Sequence, residues 1–330
     1  MKKLLMTFAL SLAAIAAQAT TIKIATVAPE GTAWMREMRA GADAVKKQTD
    51  GRVEVKYYPG GVMGDDATVV RKIKIGQLQG GAFTGSQLSL IDGNAAILGL
   101  PFLFRNQQEV DAVRAKMDPL LKASVEKSGF VALGISGGGF AYLMSTRDIK
   151  TKEDLKAAKV WVPQGDHIAE VAFKAAGVAP ISLPLADVYT SLQTGLIDTV
   201  GNTPAGAIAF QWHTKLKHVV DLPLSYIVGA LVVDKKVFDT ISGEDQKILR
   251  DEFTAAFSRI DSVGRKDNDD ALAALKKQGV DIYTPSAEEQ KSWQLIGDIA
   301  NKQLVSENAF APELLAALHK ALDEARGAGK

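Results

Sequence analysis

A serine set among glycines offers the most direct route to chemistry in this chain. Gly134-Ile135-Ser136-Gly137-Gly138 fits the G-x-S-x-G pattern, in which a tight strand-to-helix turn exposes a serine hydroxyl as a nucleophile. Here the glycines lead instead into Phe140-Ala141-Tyr142-Leu143-Met144, an apolar run with strand character. His213 and His218 lie downstream, and nothing around them marks either as the base. The stretch reads better as a flexible strand-to-strand crossing, with a serine hydrolase using Ser136 as the enzymatic alternative.

Metal chemistry has no better footing. His167, His213, His218 and His319 are scattered, and 213 and 218 are five apart rather than the four that puts two imidazoles on one helical face. Asp267-Asn268-Asp269-Asp270 is acidic enough for calcium, but the glycine and glutamate that such a loop needs at positions six and twelve are Leu272 and Gln278. Gly80-Gly81 lacks the lysine of a phosphate loop and the spacing of a dinucleotide fingerprint. No catalytic residue, metal or cofactor is expected.

The elements around these residues follow a regular rhythm. Thr21 to Val27 alternates as a strand, and Pro29-Glu30-Gly31 turns the chain. Trp34, Met38, Ala42 and Val45 then step at helical spacing. Val53, Val55 and Tyr57 mark a second strand, and Asp65 opens a helix carrying Val69, Val70 and Ile73. Strand and helix in alternation predict a largely parallel sheet covered by helices. Further strands are expected at Phe130–Ile135, Phe140–Ser145, Lys159–Val162 and Ile197–Gly201, with helices at Ile168–Ala176 and Asp187–Thr194.

One helix is diagnostic by its length. Ser242 and Asp245 have the spacing of a capping box. Leu249, Phe253, Ala256, Ile260 and Val263 follow at helical steps, and Gly279 is the first plausible stop apart from a possible break near Gly264. About 35 residues at 1.5 Å each give a helix of roughly 50 Å, longer than one ordinary domain is wide. Arg265 to Asp270 is polar before Ala271, Leu272 and Leu275 resume, so the helix leaves one core and enters another.

Bulk properties point outside the cytoplasm. Lys2 and Lys3, the apolar run Leu4 to Ala17, and Ala17-Gln18-Ala19 form a secretory signal with cleavage before Thr20. The chain holds no cysteine, which excludes disulfides, thiolate metal sites and a lipidated cysteine. Its formal net charge is +1 and becomes −1 once both signal lysines are removed, so nothing suggests a nucleic acid or an anionic membrane as partner. A periplasmic, two-domain protein, monomeric, is expected.

Several short motifs then coincide in order along the mature chain. Gly51-Arg52-Val53-Glu54-Val55, Tyr58-Pro59-Gly60 and Gly64-Asp65-Asp66 are followed by Leu100-Pro101-Phe102-Leu103-Phe104. Ile149-Lys150-Thr151 with Asp154-Leu155-Lys156, then Asp187-Val188-Tyr189 with Leu192-Gln193-Thr194-Gly195, complete the series. Together they resemble the substrate-binding proteins of TRAP transporters, the DctP-type receptors. The resemblance implies a two-lobed periplasmic-binding-protein fold of α/β type, with mixed sheets, crossing strands and one helix bracing both lobes. It also implies capture of an organic acid by lobe closure, and delivery to the subunits of a sodium-driven TRAP permease. The corresponding division is 1–19 signal peptide, 20–138 with 228–265 as the first lobe, and 139–227 with 266–330 as the second, a long helix at about 243–278 being shared. A ligand receptor serving a chemosensor is the other alternative.

The departures from the family pattern concern the ligand. The arginine that clamps a carboxylate, from a strand of the type K-x-R-V-P, is matched here by Trp161 in Lys159-Val160-Trp161-Val162-Pro163. A second family arginine aligns with Ala141, and a supporting glutamate aligns with Thr84. Asn202 is kept, and Asp66 and Gln164 fall at positions of polar ligand contact. Neither tryptophan nor lysine reproduces a bidentate guanidinium. Strand alternation sets Trp161 opposite Val160 and Val162, toward the cleft if those two face a core. An aromatic wall of Trp161 with Trp34, Phe83 and Tyr142 is therefore expected in place of the clamp, as against a tryptophan buried for structure alone. His167, or Arg71 and Lys72, would be the nearest substitutes for the missing positive charge.

Overall fold

The computed structural model describes residues 19–327; the expected signal sequence lies almost wholly outside them. Its centre is a sheet in the order β2(Val53–Tyr58)-β1(Thr20–Thr26)-β3(Gly80–Thr84)-β8(His218–Asp234)-β4(Phe130–Ser145)-β7(Thr199–Asn202), with β9(Asp281–Tyr283) beside the start of β8. β5(Trp161–Pro163) and β6(Ile181–Leu183) pair separately, and Val160 bridges to Thr199.

The sheet is mixed rather than largely parallel. β1 runs parallel to β2 and β3, but β3–β8, β8–β4 and β4–β7 are antiparallel. The reason is β4 and β8, two long antiparallel strands that belong to both halves of the molecule. The end of β8 joins β3 at one side, while the end of β4 joins β7 at the other. The two expected strands at 130–135 and 140–145 are therefore one. Between them the pairing with β8 slips at Gly134 and again between Gly137 and Gly139, and Gly139 has φ 113°, which side-chain-bearing residues rarely adopt. The G-x-S-x-G motif is thus a bulged crossing strand, and Ser136 is fully buried in it.

The long helix α10 runs unbroken through Gly264, over Gly243–Lys277. Its first half places Leu249, Phe253, Phe257 and Ile260 in one core with α1(Ala33–Gln48) and β1, and Leu275 enters another with Met144 and Trp212. It braces both halves. Only half of the expected capping box forms. Ser242 Oγ accepts the Asp245 amide, but the Asp245 carboxylate accepts two bonds from Arg52, at 2.7 and 3.0 Å, because a guanidinium fork outcompetes one backbone amide.

Arg114 and Asn268 fasten the crossing. The Arg114 Nη1–H donates to Asp261 Oδ1 (2.6 Å), which also accepts the Gly137 amide at 2.7 Å. Asn268 Nδ2 donates to the Gly138 carbonyl at 2.8 Å, and its oxygen accepts the Ala205 amide. α11(Ala287–Ser306) packs on α6(His167–Ala175). The last helix α12(Pro312–Gly327), expected in the second lobe, packs its Leu314, Leu318 and Leu322 in one core with Val110, Val113 and Leu121 of α4(Gln107–Lys127).

Candidate ligand-binding site

A cavity of about 1200 Å³ lies between the two halves, floored by the crossing strands. From the first half it takes Thr26 to Trp34, the start of α2(Asp66–Lys74), and Ala82 to Gln87 at the end of β3. The second half contributes Trp161, Pro163, Gln164, α6, and Gly201 to Gly206. Eight of the nine expected site residues line it: Trp34, Asp66, Phe83, Thr84, Ala141, Trp161, Gln164 and Asn202. His167 does not. It stands on the outer surface with its side chain 57% exposed, and its Nε2 lies 2.6 Å from Glu307 Oε2. Position N1 of α6 turns it away while the preceding residue, Asp166, caps the helix toward the cavity. Arg71 and Lys72 are also absent from the lining; they bond to Thr68 Oγ1 and to the Met63 carbonyl.

Trp161 is chiefly a core residue. It is 3% exposed, donates its indole N–H to the Leu183 carbonyl at 3.0 Å, and meets Trp212 edge-on with centroids 5.3 Å apart. The alternation argument is right about sides: Val160 belongs to a different core, with Leu143 and Trp293. It misjudges what fills Trp161's side, since Trp212 and Leu192 lie there. At 3% exposure the indole gives the cavity wall little surface. Trp34 serves the floor better. It is half-buried, meets Phe257 edge-on at 5.4 Å, and lies over Gly229, where a Cβ would come within 2.5 Å of its ring. Phe102, Phe173, Phe210, Tyr226 and Trp293 add aromatic surface that sequence reasoning missed, being scattered over strands and helices far apart in the chain.

The charges are one-sided. Arg36 is the only lysine, arginine or histidine on the lining among the described residues. It sits exposed, donating to the Gly31 carbonyl at 2.9 Å. Against it stand seven carboxylates: Glu30, Asp65, Asp66, Asp166, Asp187, Asp267 and Asp270. Glu30 is paired with Arg39, Asp270 with Lys266, and Asp65 caps α2 through the Thr68 amide. Burial pushes Asp166 upward, opposed by the Ala169 amide and the Ser86 hydroxyl. Asp66 is 9% exposed, and burial, with the neighbouring Asp65 charge, raises its pKa to about 7. Its own backbone amide opposes that rise.

Polar side chains also stand at or near the cavity. Asn202 Oδ1 accepts the Thr203 amide at 2.7 Å, leaving its Nδ2 free among the described residues. Gln87 Nε2 reaches from the first half to the Gln164 carbonyl of the second, at 3.3 Å. Ser136 lies in the strand below, its hydroxyl 3.4 Å from the Gly137 carbonyl and beside no histidine. Elsewhere, Asp148, His218 and Asp281 stand close enough to share an ion, but Lys150 Nζ already lies 2.9 Å from Asp148 Oδ2.

Comparison with known proteins agrees with this architecture. Residues 24–308 match the family model DctP, described as bacterial extracellular solute-binding protein, family 7. The chain belongs to that family, one of solute-binding proteins rather than enzymes. It is 22% identical over 292 residues to the C4-dicarboxylate-binding periplasmic protein DctP of Rhodobacter capsulatus, covering 88% of this chain and 87% of the other. It is 26% identical over 249 residues to the 2,3-diketo-L-gulonate-binding periplasmic protein YiaO of Escherichia coli, covering 73% and 74%. In fold it is similar to a TRAP periplasmic solute-binding protein from Desulfovibrio salexigens with bound orotic acid, at TM-score 0.86 and 21% identity over 93% of this chain and 99% of that one.

Proposed function

We propose that this chain is the extracytoplasmic receptor of a TRAP-type secondary transporter. It is exported by its N-terminal signal, captures one small organic solute between its lobes and hands it to the membrane permease. The observation that carries the reading is a cavity walled by both halves of the chain and floored by the two long strands that cross between them. Contacts from both walls are what make a ligand favour the closed state over the open one. The lobes are residues 20–138 with 228–265, and 139–227 with 266–311, while α12 returns to the first.

The solute differs from a plain dicarboxylate. The relatives named above bind dicarboxylate, diketogulonate or orotate, all acids, yet the motif resemblance puts Trp161 and Ala141 where the family has its arginines, and among the described residues the one guanidinium on the lining, Arg36, is at its exposed edge. Of the seven carboxylates on the lining, Asp65, Asp187 and Asp267 have no basic partner among the described residues, and they oppose a dianion further. Thermal unfolding of residues 20–330 against a panel tests this. The panel holds succinate, malate and hexuronates beside neutral and cationic metabolites. A ligand at a thousand times its dissociation constant adds about 4 kcal/mol, a shift of several degrees. That shift is expected from an organic acid other than a plain dicarboxylate; the same shift with succinate or malate would show that another group clamps the acid.

A further inference from the structure

Among the described residues, one buried donor on the cavity wall has no partner. Trp293 of α11 is 4% exposed, and its indole Nε1–H meets no acceptor. Four other buried side-chain atoms share that condition, on Asp92, Arg114, Asp118 and Asn301, and none of those residues lines the cavity. A buried N–H left unpaired bears the full cost of its lost hydration, and such groups in folded proteins are nearly always partnered.

The setting of this donor is apolar. Leu155, Ala176 and Ile296, with the half-buried Phe102 and Phe173, pack with Trp293 in one core, and all of them also line the cavity. Val160 belongs to this core and Trp161 to another, so the compartment lies on the opposite side of that strand from the Trp161 indole. The indole N–H is the one side-chain hydrogen-bonding group that these six residues carry. Such a donor selects an acceptor. A carboxylate placed here would lose its water with no cation beside it, whereas a ketone or ether oxygen accepts the bond at much smaller cost. The solute's carboxylate belongs instead with the neutral donors of the open cavity, where Asn202 Nδ2 is free among the described residues and Thr84 and Gln164 stand on the lining. We propose that the solute is an organic acid with an apolar extension carrying one uncharged acceptor oxygen, a ketone or ether, and that the Trp293 indole N–H reads that oxygen. The N–H is screened from solvent, so Phe102 or Phe173 turns to admit the extension.

This deepens the receptor reading and rests on it, and the test separates the two. Keto acids with an alkyl or aryl end, the ketone remote from the carboxylate, are assayed over several chain lengths by thermal unfolding and calorimetric titration. Each stands beside the acid in which a methylene replaces the carbonyl. At least one keto acid is expected to bind about tenfold more tightly than its methylene counterpart, the difference of one buried hydrogen bond. Trp293→Phe keeps a ring and loses the N–H, and should bind both members of that pair equally. In the wild-type protein, the indole N–H resonance of Trp293 should move with the keto acid and stay in place with the methylene acid, a readout that requires no variant to fold. Equal binding of the pair by the wild type would overturn the proposal. So would a Trp293→Phe protein that keeps the preference, or an indole resonance that answers both acids alike. If no keto acid binds while another organic acid raises the melting temperature, the receptor reading stands and this proposal falls; if no organic acid does, both fall.

Discussion

Replacing Asp66 by asparagine should make the ligand-free protein more stable, in a way that depends on pH. The folded protein holds the Asp66 proton up to about pH 7, whereas the unfolded chain releases it near 3.9. Between those values the folded state binds more protons than the unfolded one, so stability contributed at this site falls as pH rises, and levels off above about 7. The raised pKa corresponds to about 4 kcal/mol at most, at 1.36 kcal/mol per unit. Asparagine keeps the shape without the charge. Its own buried amide costs about 1–3 kcal/mol, so the net gain near pH 8 is on the order of 1–3 kcal/mol. Wild type and variant should converge by roughly 2–3 kcal/mol between about pH 7 and pH 5, two units of the same linkage. Urea unfolding of both proteins at a series of pH values measures it directly. A variant less stable than wild type at every pH, or a difference that does not change with pH, would refute the picture of an unpartnered buried carboxylate.

Two further substitutions probe the walls. Trp161→Ala removes a buried indole, its bond to Leu183 and its contact with Trp212, and should cost about 3–5 kcal/mol in denaturant unfolding; Trp161→Arg should be at least as damaging and should not install dicarboxylate binding, so a stable Trp161→Arg protein that binds succinate would restore the cleft-facing reading. Gly229→Ala places a methyl 2.5 Å from the Trp34 ring and should cost about 1–3 kcal/mol by overpacking, with a change in tryptophan fluorescence as the indole is lifted off the sheet; unchanged stability and fluorescence would mean that Trp34 is not seated there.

The parts of this structure that were legible in the sequence are those fixed by local periodicity. Helix α10 could be read to within a residue or two because Leu249, Phe253, Ala256 and Ile260 repeat on one face and Gly279 stops it. The polar stretch from Arg265 correctly marked its passage between cores. Sheet direction was not legible, because strand–helix alternation is the same for β1 to β3 whether or not a strand as distant as β8 inserts antiparallel beside them. Eight of the nine residues singled out by pattern lie on the cavity lining, but the pattern did not give the cavity's character. Trp161 was placed on the correct face, while the residue that fills that face, Trp212, is about fifty positions away. Proximity in sequence suggested His167, yet one step along the helix cap separates it from the cavity-lining Asp166. The isolation of Asp66 is a matter of what the rest of the fold fails to bring to it, and no local pattern records that.

Capture between moving lobes is the central claim, and the absence of cysteine makes it directly measurable. Val62 (72% exposed) and Leu196 (51% exposed) fall in the segments proposed above as separate lobes, so Val62→Cys with Leu196→Cys can be labelled with spin probes without competing thiols. Pulsed electron–electron distance measurement on this double variant, with and without a solute that raises its melting temperature, reports the lobes' separation. The account predicts that the solute moves the distribution to one narrower population at altered distance, the closed state. A stabilising solute that leaves the distribution unchanged would contradict it.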